Sequence, residues 1–293
     1  MQFESLKVFC DLAETKSFTK AARINEVTQA AVSQTIAALE RHFESRLIER
    51  SRKNFRLTPE GEVLYDYSKQ LLHSYAALQN AMQEIRGVMA GTIRLSATYS
   101  IGLHDLPPYV KEFLKRAPLV NVHVEYRRAE QIYADVLGHR VDLGLVAYPI
   151  RDRNLEVIPL RKDRLVLICH PGHPFARMET IKLKALSGQK FISFERDLPT
   201  RKKLDAVFKQ HRLAVESVME LDNVETMKQA VESNAGVAIV PEQTVKEEVA
   251  NNSLAAVKIA GGDLSRPVAV IHRKDHVLSP AMKQFIALLK EPR

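Results

Sequence analysis

Residues 17–64 read SFTKAARINEVTQAAVSQTIAALERHFESRLIERSRKNFRLTPEGEVL, and this stretch decides the fold. Ser17 is a good N-cap for a short helix over FTKAARI, which Asn25-Glu26 breaks after two turns. Thr28 caps a third helix running to about Phe43. In it Val32, Ile36, Leu39 and Phe43 fall at spacings of four, three and four, so that stripe is predicted to face a core. The opposite face, with Ala30, Gln34, Ala37 and Arg41 and with Ser33 on its flank, is small and polar. Such a face suits a flat, hydrated groove. Residues 44–57 predict a small β-hairpin. Between Arg41 and Arg56 six basic residues (Arg41, Arg46, Arg50, Arg52, Lys53, Arg56) stand against Glu44 and Glu49, a net +4 within 16 residues and half the formal +8 of the chain. A basic run by itself is as easily a solvated face. Directly behind a two-helix element with a short turn, nucleic acid is the better explanation.

Working outward, Phe3, Leu6, Phe9 (with Cys10) and Ala13 have helical spacing. Downstream, Thr58-Pro59-Glu60-Gly61-Glu62 opens a helix with a hydroxyl cap, proline at the first helical position and acids in the first turn. Leu71, Tyr75, Leu78, Met82, Ile85 and Met89 then follow a 4-3-4-3-4 spacing, a coiled-coil seam. A helix of ~30 residues is ~45 Å long, and a one-sided apolar stripe on it needs a partner. The chain's own body is one candidate. A second subunit is preferred, because the helix joins two zones that each look self-sufficient.

From Gly91 the pattern changes to β-branched runs alternating with helices. The runs are TIRLSAT (92–98), VNVHVEY (120–126), VDLGLVAY (141–148), RLVLICH (164–170), KFISF (190–194), GVAIV (236–240) and RPVAVIH (266–272). Such alternation implies parallel sheets, and its repetition before 165 and after 190 implies two α/β lobes.

Composition narrows the class. The 293 residues are 45% hydrophobic, 27% charged and 6% aromatic, which excludes disordered, collagenous and fibrous chains. The charge of +8 favours polyanion partners. No apolar run approaches ~18 residues, so no membrane span is expected. The acids early in MQFESLKVFCDLAETKSF argue against a signal peptide. Two distant cysteines, Cys10 and Cys169, fit a reducing cytoplasm better than a disulfide scaffold. His170 and His173 in HPGHP lack a third ligand and read as a Gly/Pro turn, so no metal site is expected. No phosphate-binding loop or nucleophile elbow occurs, and no acid/base constellation is visible.

The chain resembles the LysR-type transcriptional regulators. The resemblance rests on the pair Ala21-Ala22, TQAAVS at 28–33, ALE at 38–40, LIER at 47–50 and RLTPEG at 56–61. It continues through GTIRLSA, LPP at 106–108, VDLGLV and HPGHPF at 170–175, so it covers nearly the whole chain. It implies a winged helix-turn-helix DNA-binding domain over 1–57, a linker and dimerisation helix over 58–90, and a two-lobed effector-binding domain, like periplasmic binding proteins, over 91–293. Lobe I would take about 91–164 and 268–293, lobe II about 165–267. The implied protein is a cytoplasmic homodimer or homotetramer, not an enzyme, without a cofactor. It binds double-stranded DNA at an imperfect palindromic operator, meets RNA polymerase, and responds to a small metabolite. An enzyme carrying a DNA-binding head and an effector-independent DNA binder are the alternatives.

The resemblance also nominates residues. Its recognition positions fall on Thr28, Gln29, Ala30, Ser33 and Gln34. Thr28 and Gln29 offer helix N-terminal N–H groups to a phosphate, and Ser33 and Gln34 are candidates for base edges. Departures stand at Ala30, often Pro in the family, at Gln34 and Ala37, often basic, and at Glu44, usually Gly. Base preference therefore does not carry over; Gln34 suits adenine. Arg50, Arg52 and Lys53 are candidates for backbone phosphate. Leu71, Tyr75, Leu78, Met82 and Ile85 would form the dimer seam. In similar proteins the hydroxyls after the first strand of the effector domain contact the effector, which nominates Thr98 and Ser100 in Thr98-Tyr99-Ser100. Thr200-Arg201 opens a second-lobe helix at another such position. Arg127-Arg128 ends the second strand, and Tyr148 is a candidate cleft wall. Helix N-termini with up to three arginines suit a carboxylate or other anion.

Overall fold

The computed structural model describes residues 3–50, 55–85 and 89–291. The chain divides into two compact units, 1–91 with 138–140, and 92–137 with 141–293.

The first unit holds α1 (Phe3–Thr15), α2 (Phe18–Ile24), α3 (Gln29–His42), strands β1 (Ile48–Arg50) and β2 (Phe55–Leu57), and α4 (Pro59–Ile85). Both predicted caps form: the Ser17 hydroxyl accepts from the Lys20 N–H and the Thr28 hydroxyl from the Ala31 N–H. Glu26, at φ 54°, turns the chain between α2 and α3. Leu6, Phe9, Leu12, Val32, Ile36 and Leu39 are each 2% exposed or less and form the core of the three helices. Phe43 was expected in that stripe and is 41% exposed. Helix α3 stops at His42, so Phe43 is its C-cap, and Glu44 at φ 50° turns the chain away before the side chain reaches the core.

The predicted hairpin is antiparallel, pairing Ile48 with Leu57, Glu49 with Arg56 and Arg50 with Phe55. It is pinned to the start of α4. The Thr58 hydroxyl donates to the Arg46 carbonyl (2.6 Å) and accepts from the Gly61 N–H (3.0 Å). A Cβ at Gly61 would lie 2.1 Å from the Leu47 carbonyl oxygen, so only glycine permits this approach. Glu14 of α1 ties α4 down, accepting from Tyr65 Oη (2.9 Å) and Lys69 Nζ (2.7 Å). Beyond that anchor Leu71, Leu78 and Met82 are 51%, 57% and 51% exposed. Tyr75, though its ring packs on Phe3 at 4.5 Å, is also exposed. The Ile85 side chain lies outside the described residues.

The second unit runs β3 (Ala90–Ala97), α5 (Tyr99–His104), α6 (Leu106–Arg116), β4 (Leu119–Tyr126), α7 (Ala129–Leu137), β5 (Leu143–Ala147), β6 (Leu155–Cys169), β7 (Thr180–Lys182), β8 (Lys190–Phe194), α8 (Pro199–Gln210), β9 (Glu216–Leu221), α9 (Val224–Glu232), β10 (Ala238–Pro241), α10 (Lys246–Ala250), β11 (Ala255–Ala260), β12 (Ser265–Arg273) and α11 (Pro280–Leu289). One sheet has the order β4-β3-β5-β12-β6-β11-β7, with β10 also on β6, and β8-β9 form a separate pair. The long β6 explains the two lobes. Its first part pairs with β12, while Leu165–Cys169 pairs with β10 and β11. One strand thus leaves lobe I and enters lobe II, and β12 returns beside it.

That crossing corrects the expectation of parallel sheets. β3-β5 and β8-β9 are parallel, but β12 is antiparallel to β5 and β6, and β6 is antiparallel to β10 and β11. A chain that crosses and returns must run its two crossing strands in opposite directions. Each lobe has a core of its own. Ile132, Val136, Val146 and Ile271 belong to one, and Leu167, Phe191, Met227 and Ile239 to the other.

Candidate functional site

Two surfaces gather the nominated residues. The first is the outer face of α3. Gln29, Ala30 and Gln34 are exposed and Ser33 is half-buried, while Val32, Ile36 and Leu39 on the same helix are buried. Packing therefore turns the small polar face outward. The Thr28 hydroxyl is spent on the cap, which leaves the N–H groups of the first turn for a phosphate. Arg50 sits in β1 with its side chain outside the described residues, and Arg52 and Lys53 lie wholly outside them.

The second surface is a cleft in the effector-type unit enclosing about 640 Å³ of space, counting its open mouth. It lies at the carboxyl ends of strands, as open α/β sheets dictate. From lobe I, Thr98, Tyr99 and Ser100 follow β3, Arg127, Arg128 and Ala129 follow β4, and Ala147 ends β5. From lobe II come Phe194 at the end of β8, Leu198-Pro199-Thr200 at the start of α8, Asp222-Asn223-Val224 between β9 and α9, and Pro241. Arg266, at the start of β12, completes the wall.

Backbone hydrogen bonds hold the lobe I turns together. The Thr98 N–H donates to the Leu145 carbonyl (3.2 Å) and the Arg127 N–H to the Ala97 carbonyl (3.0 Å). The Thr98 carbonyl accepts from Ile101 and Gly102, so the start of α5 is closed by backbone alone. The Thr98 hydroxyl makes no cap bond, is buried, and has no hydrogen-bond partner among the described residues. A buried hydroxyl without a partner costs free energy that a ligand atom would recover. Asn223 caps α9 by accepting from the Thr226 N–H (3.0 Å) and donates to Asp222 (2.7 Å).

The arginines divide by their partners. Arg127 pairs with Glu125 at 2.7 Å, and that hydrogen bond holds the Glu125 carboxyl below its usual range. Arg128 reaches over to lobe II acids, Glu195 at 2.6 Å, Asp197 at 3.0 Å and Asp222 at 3.8 Å. Both guanidiniums remain nearly half exposed, so water screens these pairs and an incoming anion competes with them on modest terms. Arg201 was nominated beside Thr200, and the structure corrects this. It is turned into lobe II, bound to Asp205, Glu220 and the Phe194 carbonyl, and does not line the cleft. A helix side chain three positions from the N-cap points along its own helix, and Asp205 one turn on captures it. Tyr148 is likewise outside the lining. At φ 51° the backbone turns after Ala147, the side chain is half-buried with its hydroxyl oxygen inside, and burial pushes that hydroxyl up to about 12.

Sequence reading missed Asp222, Asn223 and Arg266. Asn223 had a local signal, an N-cap residue opening an amphipathic helix. Arg266 had none, because its partner Asp163 is 103 positions away.

Residues 86–292 match the family described as "LysR substrate binding domain", and residues 3–62 match "Bacterial regulatory helix-turn-helix protein, lysR family". The chain belongs to the LysR family. It is 27% identical to the HTH-type transcriptional regulator CysL of Bacillus subtilis (strain 168), over 99% of this chain and 97% of that one. A full-length OxyR variant from Pseudomonas aeruginosa shares the fold, with a TM-score of 0.76 and 21% identity over 99% of this chain and 93% of that one. The regulatory domain of CcmR from Synechocystis PCC6803, in complex with 2-PG, is 26% identical over 68% of this chain and 95% of that domain, at a TM-score of 0.62. As in the LysR family at large, helices α2 and α3 fall in the regulatory helix-turn-helix segment and the cleft in the substrate-binding segment. No described helix is long and apolar enough to cross a membrane.

Proposed function

We propose that this LysR-family chain regulates transcription by reading an imperfect palindromic operator with α3, under the control of a small anionic metabolite held in the cleft. The observation that carries the anion is the cleft's lining. The N-termini of α7, α8 and α9 open onto it, and the nearly half-exposed guanidiniums of Arg127 and Arg128 line it, where an anion competes with their partners Glu125, Glu195, Asp197 and Asp222. Helix N-termini and guanidiniums both favour negative charge. The orphaned Thr98 hydroxyl adds one unfilled hydrogen-bonding position. The 2-phosphoglycolate bound by a relative's regulatory domain has this chemistry.

Thr28, Gln29, Ala30, Ser33 and Gln34 form the operator-reading face, and Arg50, Arg52 and Lys53 supply phosphate contacts from the wing. The seam Leu71, Tyr75, Leu78, Met82 and Ile85 pairs two copies, and dimers associate into tetramers. The chain works in the cytoplasm with RNA polymerase and performs no catalysis of its own, in keeping with the regulator names of its relatives.

Calorimetry on the full chain tests the cleft, with 2-phosphoglycolate, inorganic phosphate and uncharged polyols as probes. Hydrogen bonds to a charged group are worth ~1.5–3 kcal/mol, so losing one weakens binding about ten- to a hundred-fold. Ser100→Ala is expected to lose that much affinity for the anions. An uncharged preferred ligand overturns the anion and leaves the cleft; unchanged affinity in Ser100→Ala moves the site elsewhere.

A further inference from the structure

We propose that Arg266 is a positioning residue for effector recognition: it holds the Ser100 hydroxyl as an acceptor, which keeps the Ser100 proton for a ligand atom that accepts. The inference rests on the anion-binding reading of the cleft and names how one of its contacts gains its polarity.

The Arg266 side chain is 3% exposed, yet it lines the cleft. Two of its nitrogens, Nε at 3.2 Å and Nη2 at 2.7 Å, donate to the same oxygen of Asp163. The remaining nitrogen, Nη1, donates to Ser100 Oγ at 2.8 Å. A guanidinium has donors and no acceptor. The direction of the bond to Ser100 is therefore not a matter of choice: Ser100 accepts, and its single proton must point elsewhere. A free serine hydroxyl rotates to suit either kind of partner. This one cannot spend its proton on Arg266, and it keeps one lone pair besides. An acceptor beside it, such as a carboxylate, phosphoryl or keto oxygen, takes that proton, whereas an ammonium reaches only the remaining lone pair and shares the oxygen with a guanidinium.

The second link is why Arg266 does not move. Asp163, with 2% of its side chain exposed, accepts from Arg266 through one oxygen and from Arg161 Nε (2.9 Å) through the other. Arg161 in turn stands 2.7 Å from Asp105, at the junction of α5 and α6. The row Asp105, Arg161, Asp163, Arg266 alternates in sign and sums to zero, so each charge has an opposite neighbour, and Asp163 and Arg266 are shielded from water. Asp105 at one end lies in lobe I, Arg161 and Asp163 lie on β6, and Arg266 at the other end lies on β12, so the row joins lobe I to the two crossing strands. A surface arginine could swing to a ligand. Arg266 is held by two bonds to a buried carboxylate and acts instead through the hydroxyl it orients.

The neighbouring Thr98 shows the contrast. Its hydroxyl has no partner and keeps both roles. The cleft thus offers one hydroxyl already engaged by a guanidinium and one without a partner among the described residues.

A double-mutant cycle on the full chain tests the coupling, with 2-phosphoglycolate and inorganic phosphate as calorimetric probes. Ser100→Ala is expected to weaken binding about ten-fold or more, and Ser100→Thr to keep most of it, because the hydroxyl remains. Arg266→Lys keeps the charge beside Asp163 but not the fork. It is expected to weaken binding in the unmodified background and to change it by less than about two-fold in the Ser100→Ala background. Equal losses in both backgrounds overturn the proposal, since Arg266 would then act on the ligand directly or through the fold. If circular dichroism shows that Arg266→Lys does not fold, Asp163→Asn loosens the same guanidinium from the other side, and the same comparison applies. Anions that bind the unmodified chain and the Ser100→Ala chain equally well overturn this inference and leave anion binding standing. Failure of both anions to bind the unmodified chain overturns both readings.

Discussion

Two threonines, each at a helix N-terminus, show how the two units differ. In the first unit the Thr28 hydroxyl accepts from the Ala31 N–H at 3.1 Å, and the cap is complete. In the second, Thr98 also precedes a helix, but its carbonyl does the capping and its hydroxyl is left buried without a partner. The first unit spends its polar groups on its own fold and presents a finished face. The second leaves a polar group unspent in a cleft. A surface that reads a long, charged polymer gains from rigidity, while a cleft for a small molecule needs bonding capacity that folding has not consumed.

The largest effect that could break this comparison concerns the separate cores. Ile36 is fully buried among α1, α2 and α3. Ile36→Asp places an unpaired charge there, at a cost of several kcal/mol. The first unit should unfold and operator binding vanish, while the cleft keeps its affinity for anions. Calorimetric melting and phosphate titration check this. Loss of both functions together would mean that the two units do not fold independently.

Next comes the seam. Leu78 is 57% exposed in its own chain, so Leu78→Asp costs little within one chain. Across a pairing of two copies it buries a charge. Sedimentation should show dissociation with an unchanged circular dichroism spectrum; an intact dimer would assign the stripe to another surface.

The two threonines give the smallest effects and the sharpest contrast. Thr28→Ala should cost ~1 kcal/mol of stability, the ordinary worth of a hydroxyl cap, read by urea denaturation of the first unit. Thr98→Val removes a hydroxyl that bonds nothing among the described residues. Stability should change by less than ~0.5 kcal/mol, or rise, while affinity for 2-phosphoglycolate falls. Equal destabilisation by both would erase the distinction between a spent and an unspent hydroxyl.

Much of this was legible in the residues. The caps at Ser17, Thr28 and Thr58, the α3 stripe through Leu39 and the antiparallel hairpin all depend on neighbours within a few positions. Phe43 slipped because helix termination hangs on one residue at positive φ, Glu44, and glutamate does not announce that conformation. The turns carrying Thr98, Arg128 and Thr200 were legible as strand-to-helix junctions, and the cleft unites them.

By itself, then, the order of residues determined the first unit and the uncovered face of α4, since helix periodicity, caps and a short hairpin are local. Only the tertiary structure decided which side chains meet in the cleft. Local capture by Asp205 took Arg201 out of it, and a backbone turn took Tyr148 out. The crossing of β6 and β12 brought Arg266 in, through Asp163 more than a hundred positions away. Partner choice for a charged side chain is a contest among every acceptor within reach, and spacing along the chain says nothing about reach across it.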